Sequence, residues 1–238
     1  MEMLRMDHIT KIYPNGFVAN KDVTFAVNEG EIHSLVGENG AGKTTLMKIL
    51  FGMEDKQGGD IFIREQNVKI TSPLDAISKV VGMVHQHFML LNSLTVAENV
   101  VLGIEPMKNG LFDFEEAVVM TQKIADKYNF ALDARTRVKD LSVGQMQKVE
   151  ILKALIKGAR VLILDEPTAG LDPGGRDEIF ELIKNLHANN DMTVILSSHS
   201  MDDMAKLVNT LMVMNKGRLE IMGSPREVFK ENADRLRG

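Results

Sequence analysis

One stretch of eight residues restricts what this chain can fold into more than any other part of its sequence. Residues 37–44 read Gly-Glu-Asn-Gly-Ala-Gly-Lys-Thr and fit the pattern G-x-x-x-x-G-K-[ST], the P-loop motif. The apolar run 32–36 precedes the motif, and the run 46–50, which is typical of a helix, follows it. This order predicts a strand, a loop and a helix. The glycines would let backbone N–H groups turn inward and the helix would direct its positive end at the same point, so the loop is predicted to bind phosphate groups.

The motif also predicts what its individual residues do. Lys43 is expected to reach the β- and γ-phosphates of ATP or GTP, and the Thr44 hydroxyl is expected to bind Mg²⁺. The alternative is a glycine turn before an ordinary helix, which the strand and helix on either side disfavour. The other residues predicted to contact the nucleotide lie in the loop and the first helical turn: Gly37, Asn39, Gly40, Ala41, Gly42 and Thr45.

The composition is that of an ordinary globular protein. The 238 residues, of which 44% are hydrophobic and 26% charged, are enough for one large domain or two small ones. The net charge of −5 and the pI of about 5.7 indicate no basic face, so nucleic acid is disfavoured as the main partner. The chain has no cysteine, which excludes a disulfide framework and a cysteine-ligated metal site and fits a reducing compartment.

The sequence shows no targeting or membrane-spanning pattern. Residues 1–7 lack the apolar core of a signal peptide. No apolar run approaches the roughly 18 residues that a membrane-spanning helix needs. We therefore expect that any role at a membrane comes through a partner.

The hydrophobic pattern divides the chain into three parts. In the first part, 4–13 and 23–27 read as strands, 60–70 reads as a hairpin that turns near Glu65, and 80–84 reads as a short buried strand. In the last part, unbroken apolar runs at 161–164, 193–196 and 210–214 are typical of strands buried on both faces of a parallel sheet. Helices are expected between and after them, near 175–188, 200–208 and 225–232.

The middle part, from about 95 to 158, has a helical pattern. We predict an amphipathic helix over 115–129 and a second helix over 144–157, with a loop at 105–110. The apolar positions of the first helix include Val118, Val119, Ile124 and Ala125. The positions of the second helix expected to face inward are Val149, Ile151, Leu152, Leu155 and Ile156. The fold class is therefore α/β with a helical insertion. We expect one domain over 1–238, in which 1–90 and 159–238 form the core and 91–158 form the insertion.

Two acidic residues follow the apolar strand at 161–164. Asp165 and Glu166 are expected at the carboxyl edge of the sheet, where open α/β folds bind their ligands. Because successive strand residues point in opposite directions, one carboxylate can face the metal while the other faces a different object. We assign Asp165 to Mg²⁺, directly or through water, and Glu166 to polarising the water that attacks the γ-phosphate. A solvated strand end is the alternative.

The order of several motifs resembles the ATP-binding cassette (ABC) ATPases, over essentially the whole chain. These motifs are 37–44, Gln86, Leu141-Ser142-Val143-Gly144-Gln145, Leu162 to Glu166, Ala169-Gly170-Leu171-Asp172, and Ser197-Ser198-His199. The resemblance implies a P-loop NTPase fold of the ABC type with an antiparallel β subdomain, a RecA-like core and a helical subdomain at 91–158. It also implies ATP and Mg²⁺ as cofactors.

The resemblance implies roles for residues that lie far apart in the sequence. Ser142, Gly144 and Gln145 belong to the family signature, which caps the γ-phosphate of ATP held by the opposite subunit. Gln86 resembles the glutamine that touches Mg²⁺ or the attacking water and reports to a membrane partner. His199 resembles the histidine that contacts the γ-phosphate. Two half-sites on one subunit then require a head-to-tail dimer around two ATP molecules, whether of two identical or two different subunits.

Further residues depend on the same resemblance. Tyr13 matches the aromatic residue that stacks on adenine, with an edge-strand tyrosine as the alternative, and Asp172 matches the residue that contacts the partner subunit. Val143 departs from the family pattern, where a small residue is usual. The remaining histidines are expected to be structural: His8, His33, His85, His87 and His187. Because His85 and His87 flank Gln86, a metal site is the alternative for these two.

Different parts of the chain resemble two different branches of the family. The segments 82–90 and 94–100 are similar to ATPases of nucleoside and simple-sugar importers, and 141–155 has the same character. The segments 170–178, 199–203 and 223–229 are similar to ATPases of energy-coupling-factor importers, which serve cobalt and vitamins. A recombinant, an engineered chimera and an unusual natural branch all remain open as the origin of this combination.

The resemblance implies an ATPase that drives integral-membrane permease subunits, bound through them to the cytoplasmic face of the cell membrane. A non-transport cassette ATPase of repair or translation is the alternative. Repair members insert a long coiled coil where only residues 87–140 lie here, and translation members carry two cassettes and a charged linker. A nucleotide-binding scaffold with little turnover is a third hypothesis, which Glu166 and His199 disfavour.

Overall fold

A parallel sheet lies at the centre of the protein, as the unbroken apolar runs predict. The structure is a computed structural model and describes residues 1–190 and 192–235. The central sheet has six strands in the order β12-β11-β3-β10-β9-β6, of which β12 alone pairs in the antiparallel sense. Its strands are β3 (Ile32–Val36), β6 (Val81–Val84), β9 (Val161–Leu164), β10 (Thr193–Ser198), β11 (Thr210–Asn215) and β12 (Arg218–Gly223).

The central strands feed two separate hydrophobic cores. Every residue of β3, β6, β9 and β10 is buried, and successive side chains point to opposite faces of the sheet. Leu162 and Leu164 therefore join the core on one face, whereas Val161 and Ile163 join the core on the other. This two-sided burial explains why these strands read as continuous apolar runs rather than as alternating patterns.

A second, antiparallel sheet covers one of those faces. Its order is β2-β1-β4-β5, from β1 (Glu2–Ile12), β2 (Val18–Asn28), β4 (Gly58–Ile63) and β5 (Gln66–Val68). The predicted hairpin is confirmed, and its turn lies at Arg64 and Glu65, which both have positive φ, 49° and 64°. The antiparallel part of the predicted fold is therefore present.

Eight helices are found among the described residues. The first, α1 (Lys43–Leu50), follows the P-loop, and the insertion contains α3 (Val96–Val100), α4 (Phe114–Lys127) and α5 (Val143–Ile156). The others are α2 (Pro73–Ser78), α6 (Pro173–Asn190), α7 (Met201–Met204) and α8 (Pro225–Arg235), and a 3₁₀ turn lies at Val138–Asp140. None of the helices in the described part of the chain is long and apolar enough to cross a membrane.

The insertion differs from the prediction in two places. The expected loop at 105–110 is a short hairpin of β7 (Met107–Lys108) and β8 (Leu111–Phe112), whose turn residues Asn109 and Gly110 have φ of 53° and 80°. An Asn-Gly pair is a strong signal for such a turn, and the sequence prediction overlooked it.

The second difference concerns α4. Its buried residues are Ala117, Thr121 and Ala125, whereas Val119, one of the apolar positions of the predicted amphipathic helix, is 59% exposed. The small side chain of Ala117 packs with Ala97 and Val101 of the α3 region in a separate small core. A scale that weighs only hydrophobicity places Val119 inward, because it does not register how closely small residues let two helices approach.

Several other bounds also differ. The helix predicted at 200–208 ends at Met204, and α2 and β12 were not predicted. The division of the chain at residues 90/91 and 158/159 stays a prediction. Residues 191 and 236–238, which it includes, lie outside the described part of the chain.

We expect two substitutions in the insertion, one of a buried aromatic residue and one of an exposed valine, to lower the free energy of unfolding by clearly different amounts. Phe130 is fully buried in the core that α5 lines, at 0% exposure. Phe130→Ala should lower the free energy of unfolding by about 3–5 kcal/mol. Val119→Ala should change it by less than about 0.5 kcal/mol. Denaturant titration of both variants and the wild type measures the difference; a larger loss for Val119→Ala would contradict the observed orientation of α4.

Candidate active site

The P-loop is pressed between the two sheets so closely that glycine is required. A Cβ on Gly37 would lie 2.3 Å from the carbonyl oxygen of Met214, and one on Gly42 would lie 2.3 Å from that of Ala19. Gly42 also has a φ of 100°, which side chains with a Cβ rarely adopt. The loop is held from below as well, since the buried Asn20 side chain donates to the Gly42 carbonyl at 3.1 Å. The loop conformation is thus fixed by contacts on both sides.

Lys43 lies inside this loop. Its Nζ donates to the carbonyl oxygens of Gly37 at 2.6 Å and Glu38 at 3.3 Å, and lies 3.8 Å from Oε1 of Glu166. The residue is 5% exposed. The ammonium group therefore lies at the point toward which α1 directs its N-terminal N–H groups. Both favour negative charge there.

A network of oxygens connects α1 to the ends of two neighbouring strands. Oδ1 of Asp165 accepts hydrogen bonds from the hydroxyls of Thr44, at 3.1 Å, and Ser197, at 2.7 Å. Asp165 is 3% exposed. Pairing of β10 with β9, in which Leu196 is opposite Leu164, brings Ser197 beside Asp165. The sequence analysis includes Ser197 only as part of a motif, so it does not predict this contact of the Ser197 hydroxyl.

The donors at this network fit Mg²⁺. Hydroxyl and carboxylate oxygens are its usual protein ligands, and Mg²⁺ generally takes only one or two carboxylates and completes its shell with water and phosphate oxygens. Residues 1–190 and 192–235 contain no group of three or more His, Cys, Asp or Glu placed to hold a metal ion on their own. The Thr44 and Asp165 pair therefore has the character of a site that metal and nucleotide would occupy together.

Glu166 projects in a different direction from Asp165 and has an unusual backbone. Its φ is 50°, in the left-handed region that costs a residue with a Cβ about 1 kcal/mol. Its N–H donates to the Ser197 hydroxyl at 2.9 Å, and its Oε2 lies 3.0 Å from Nδ1 of His199. The carboxylate is thus fixed between His199 on one side and Lys43 on the other.

These residues line one cleft. Gln86, Glu166 and His199 face the P-loop across it, and the imidazole of His199 is 71% exposed toward it. Asp165 lies behind Thr44 rather than on the surface of the cleft, and Gly37 likewise lies beneath it. The residues that line the cleft are Phe17, Ala19, the run 39–45, Gln86, Glu166, Ala169 and His199.

Phe17, rather than Tyr13, lines this cleft. The two rings stack with centroids 6.3 Å apart, and Phe17 is 53% exposed. Tyr13 lies behind it, with its hydroxyl 3.4 Å from Glu54 and Lys11 over its ring at 5.0 Å. The stretch 13–17 forms a turn, closed by the bond from the Tyr13 N–H to the Phe17 carbonyl at 2.9 Å. Because Phe17 sits in a turn outside the strand pattern, the sequence carried no signal that distinguished it from Tyr13.

The predicted signature lies elsewhere on the chain. Ser142 is the N-cap of α5, and it forms a capping box with Gln145: the Ser142 hydroxyl accepts from the Gln145 N–H at 3.3 Å, and the Gln145 side chain accepts from the Ser142 N–H at 2.9 Å. Ser142, Val143 and Gly144 line a second cleft, together with 170–172. This cleft shares no residue with the P-loop cleft, and Val143 is 45% exposed there.

The neighbouring Asp172 caps a helix. Its Oδ1 accepts from the N–H of Gly175 at 3.2 Å, at the start of α6. A side chain on Gly175 would meet that oxygen at 2.9 Å, so the glycine leaves the carboxylate room to cap. The predicted contact of Asp172 with a partner subunit stays a prediction.

Gln86 lies in an exposed segment that follows β6. The preceding His85 packs edge-on against Phe51, with centroids 6.0 Å apart. Burial lowers the pKa of His85, while the carboxylates of Glu150 and Asp165 act in the opposite direction. The imidazole is therefore neutral at neutral pH and adds no positive charge beside Gln86.

Comparison with known proteins places these features in a family. Residues 20–169 match the family described as ABC transporter. The guanosine import ATP-binding protein NupO of Bacillus subtilis (strain 168) is 47% identical over 184 residues, covering 77% of this chain and 36% of NupO. The energy-coupling factor transporter ATP-binding protein EcfA2 of Clostridioides difficile (strain 630) is 44% identical over 242 residues, covering 97% of this chain and 82% of EcfA2.

The fold agrees with this assignment. The dimeric structure of MJ0796, a bacterial ABC transporter cassette, superposes with a TM-score of 0.79 at 26% identity, covering 94% of this chain and 99% of that one. The first relatives are longer than this chain, which spans 36%, 42% and 44% of their lengths. The two branches resembled by the sequence, importer ATPases and energy-coupling-factor ATPases, both occur among the relatives, and the similarity to EcfA2 extends over almost the whole chain. The family binds ATP, and the chain belongs to the ABC transporter family.

Proposed function

We propose that this chain is the ATP-binding and ATP-hydrolysing subunit of an ABC importer. The observation that carries the proposal is the fixed arrangement of Glu166 between His199 and Lys43, beside the Thr44 and Asp165 pair. The names of the relatives, which include a guanosine import protein and an energy-coupling-factor transporter protein, support import rather than export.

The residues of the cleft divide the work of phosphoryl transfer between them. Lys43 and the P-loop N–H groups bind the β- and γ-phosphates and stabilise the charge that develops on them. Thr44 and Asp165 would hold Mg²⁺, with Gln86 as a further ligand or a contact to the attacking water; the ion supplies charge neutralisation. The remaining two residues are Glu166, which acts on the attacking water, and His199, which acts on the γ-phosphate.

Glu166 orients the attacking water and accepts its proton. The contact of 3.0 Å with His199 and the partly buried backbone bond to Ser197 keep its carboxylate in one orientation. Positioned general bases of this kind contribute about 10²–10⁴-fold to a rate. In the nucleotide-bound protein, His199 would turn its exposed imidazole to the γ-phosphate.

We propose that residues from another subunit complete this cleft. Ser142 and Gly144 begin a helix, and its first N–H groups favour an anion, but they lie in the second cleft of the same chain. A head-to-tail dimer would place them over the γ-phosphate bound by the opposite P-loop. The dimeric cassette with a similar fold supports this arrangement. Gln145 would contribute through the capping box that fixes Ser142.

The base of the nucleotide is proposed to stack on Phe17, with Tyr13 behind it. The two stacked rings extend from the side of the P-loop cleft. Glu54 and Lys11 hold Tyr13 through its hydroxyl and its ring, so Tyr13 supports the position of Phe17.

Glu166→Gln is the test of hydrolysis. The amide cannot accept the proton, so kcat should fall by about a hundredfold or more while ATP binding remains. The ATP-bound variant should accumulate as a dimer, detected by gel filtration or analytical ultracentrifugation, because the closed dimer does not reopen without hydrolysis. The matched control is Glu181→Gln, an exposed residue paired with Lys184, which should leave both measurements unchanged. Turnover near the wild-type rate in Glu166→Gln would remove Glu166 as the base.

Substitutions at the two aromatic positions test base stacking. Phe17→Ala should raise the KM for ATP about tenfold with kcat little changed, since stacking of a base on an aromatic ring is worth about 1–3 kcal/mol. Tyr13→Phe, which keeps the ring and loses the hydroxyl contact to Glu54, should leave KM near the wild-type value. A larger rise for Tyr13→Ala than for Phe17→Ala would make Tyr13 the direct platform.

Purification from membranes tests the link to transport. We expect integral-membrane permease subunits to co-purify with the tagged chain when it is expressed in its native organism and extracted in mild detergent. The solute bound by that complex would then distinguish nucleosides and sugars from cobalt and vitamins. Recovery of an active ATPase exclusively in the fraction free of membrane proteins would favour the non-transport class instead.

A further inference from the structure

Two residues of α5 hold the backbone of the segment that carries Gln86. The N–H of Met89 donates to Oε1 of Glu150 at 2.6 Å, and Nζ of Lys153 donates to the carbonyl oxygen of Met89 at 3.0 Å. Both polar groups of this one residue are thus bound by side chains from a single helix. We call this arrangement the Met89 clamp.

Leu90 packs against the hydrophobic core, but packing does not hold the whole segment. The Met89 side chain is 64% exposed, and Gln86 and His87 are exposed as well. Glu150, in contrast, is 6% exposed, and its other oxygen pairs with Lys153 Nζ at 3.1 Å. A buried carboxylate is costly unless it is paired and hydrogen-bonded, and here the backbone of Met89 supplies one of those bonds. The polar clamp therefore fixes the backbone at Met89, beside the packed Leu90.

A second buried side chain fixes the segment two residues further on. Asn99 of the α3 helix, at 0% exposure, accepts from the Leu91 N–H at 2.8 Å and donates to the Leu91 carbonyl at 3.1 Å. The far end of the Gln86 segment is consequently attached to the helical insertion, while its near end continues from β6 in the central sheet. Gln86 lies between an anchor in the core and two anchors in the insertion.

The helix that forms the clamp also carries the signature. Ser142 caps the N-terminus of α5, and Glu150 lies eight residues along the same helix, about 12 Å away at the rise of an α-helix. A movement of the Ser142 end that displaces α5 as a rigid body therefore displaces Met89, three residues from Gln86.

We propose that Glu150, with Lys153, is a positioning residue that makes Gln86 follow the signature helix. The inference rests on the proposed function, since it assigns the clamp to the site that hydrolyses ATP. ATP at the signature would draw α5 toward the opposite subunit, and the clamp would carry Gln86 into its working position against the metal and the water. Glu150 itself contacts neither the nucleotide nor the water.

Substitutions in the clamp test this coupling. Glu150→Ala removes the acceptor for the Met89 N–H, Glu150→Gln keeps an acceptor oxygen at that position, and Lys153→Met removes the donor to the Met89 carbonyl. The matched control is Lys148→Met, because Lys148 belongs to the same helix and has an ion pair of 2.8 Å with Glu178, but it makes no bond to the Gln86 segment. Each purified full-length variant is assayed for kcat, for KM of MgATP, and for amide hydrogen exchange over 86–91.

Glu150→Ala should lower kcat by about tenfold, the factor that corresponds to losing one hydrogen bond to a charged group. Its KM should stay near the wild-type value, because the P-loop is untouched. Exchange of the Met89 amide should become faster in the same variant. Glu150→Gln should recover most of both effects, and Lys148→Met should show neither. A general loss of packing would instead change exchange throughout α5 and would not be rescued by the amide.

Either of two results would overturn the clamp: an unchanged Met89 exchange rate in Glu150→Ala, or faster exchange there with an unchanged kcat. If Glu150→Ala does not fold, Lys153→Met provides the same comparison through the Met89 carbonyl. A wild-type chain without ATPase activity would refute the proposed function, while the exchange measurement would still show whether Glu150 holds Met89.

Discussion

The buried carboxylate of Asp165 is the interaction on which the rest of the site depends. It accepts hydrogen bonds from Thr44 on α1 and from Ser197 on β10, while Asp165 itself directly follows β9. A charge at 3% exposure would be strongly unfavourable without such partners. The same hydroxyl of Ser197 accepts from the backbone of Glu166, so the residue after Asp165 is fixed in its left-handed conformation. One carboxylate thereby determines where the P-loop helix, the proposed general base and the proposed metal lie relative to one another.

This arrangement separates binding from hydrolysis. The P-loop has everything needed to bind phosphate within one chain, because its glycines, Lys43 and the N-terminus of α1 converge there. The signature is rigid as well, since the capping box between Ser142 and Gln145 satisfies the backbone N–H groups of these two residues. The two parts face different clefts, and in the proposed function a second copy completes the site. A site that is complete only in the assembly makes the energy of ATP binding available for bringing subunits together.

The sequence predicts the fold wherever a single physical rule dominates. Continuous apolar runs of four residues at 161–164 and 193–196 predicted two of the parallel strands, because burial on both faces favours apolar side chains at successive positions. The P-loop predicted the position of Lys43, because its spacing fixes a loop between strand and helix. Prediction was wrong where two rules competed: in α4, close approach of small residues outweighed the hydrophobicity of Val119, and at Asn109 turn chemistry outweighed the absence of a strand pattern.

Long-range polar contacts lay beyond what the sequence could show. Nothing in the local pattern around Glu150 distinguishes a carboxylate that faces solvent from one that binds a backbone N–H 61 residues earlier in the chain. On a helix with apolar residues at Val149, Ile151 and Leu152, it reads as an ordinary polar position. Only the fold reveals that its oxygens are 2.6 Å and 3.1 Å from their partners in the Gln86 segment and on Lys153. The segment has an exposed surface and a buried attachment, and this combination lets Gln86 respond to the signature helix while remaining accessible to the nucleotide cleft. The clamp ties the backbone of Met89 to α5, and without it the segment would lose these two bonds to the signature helix.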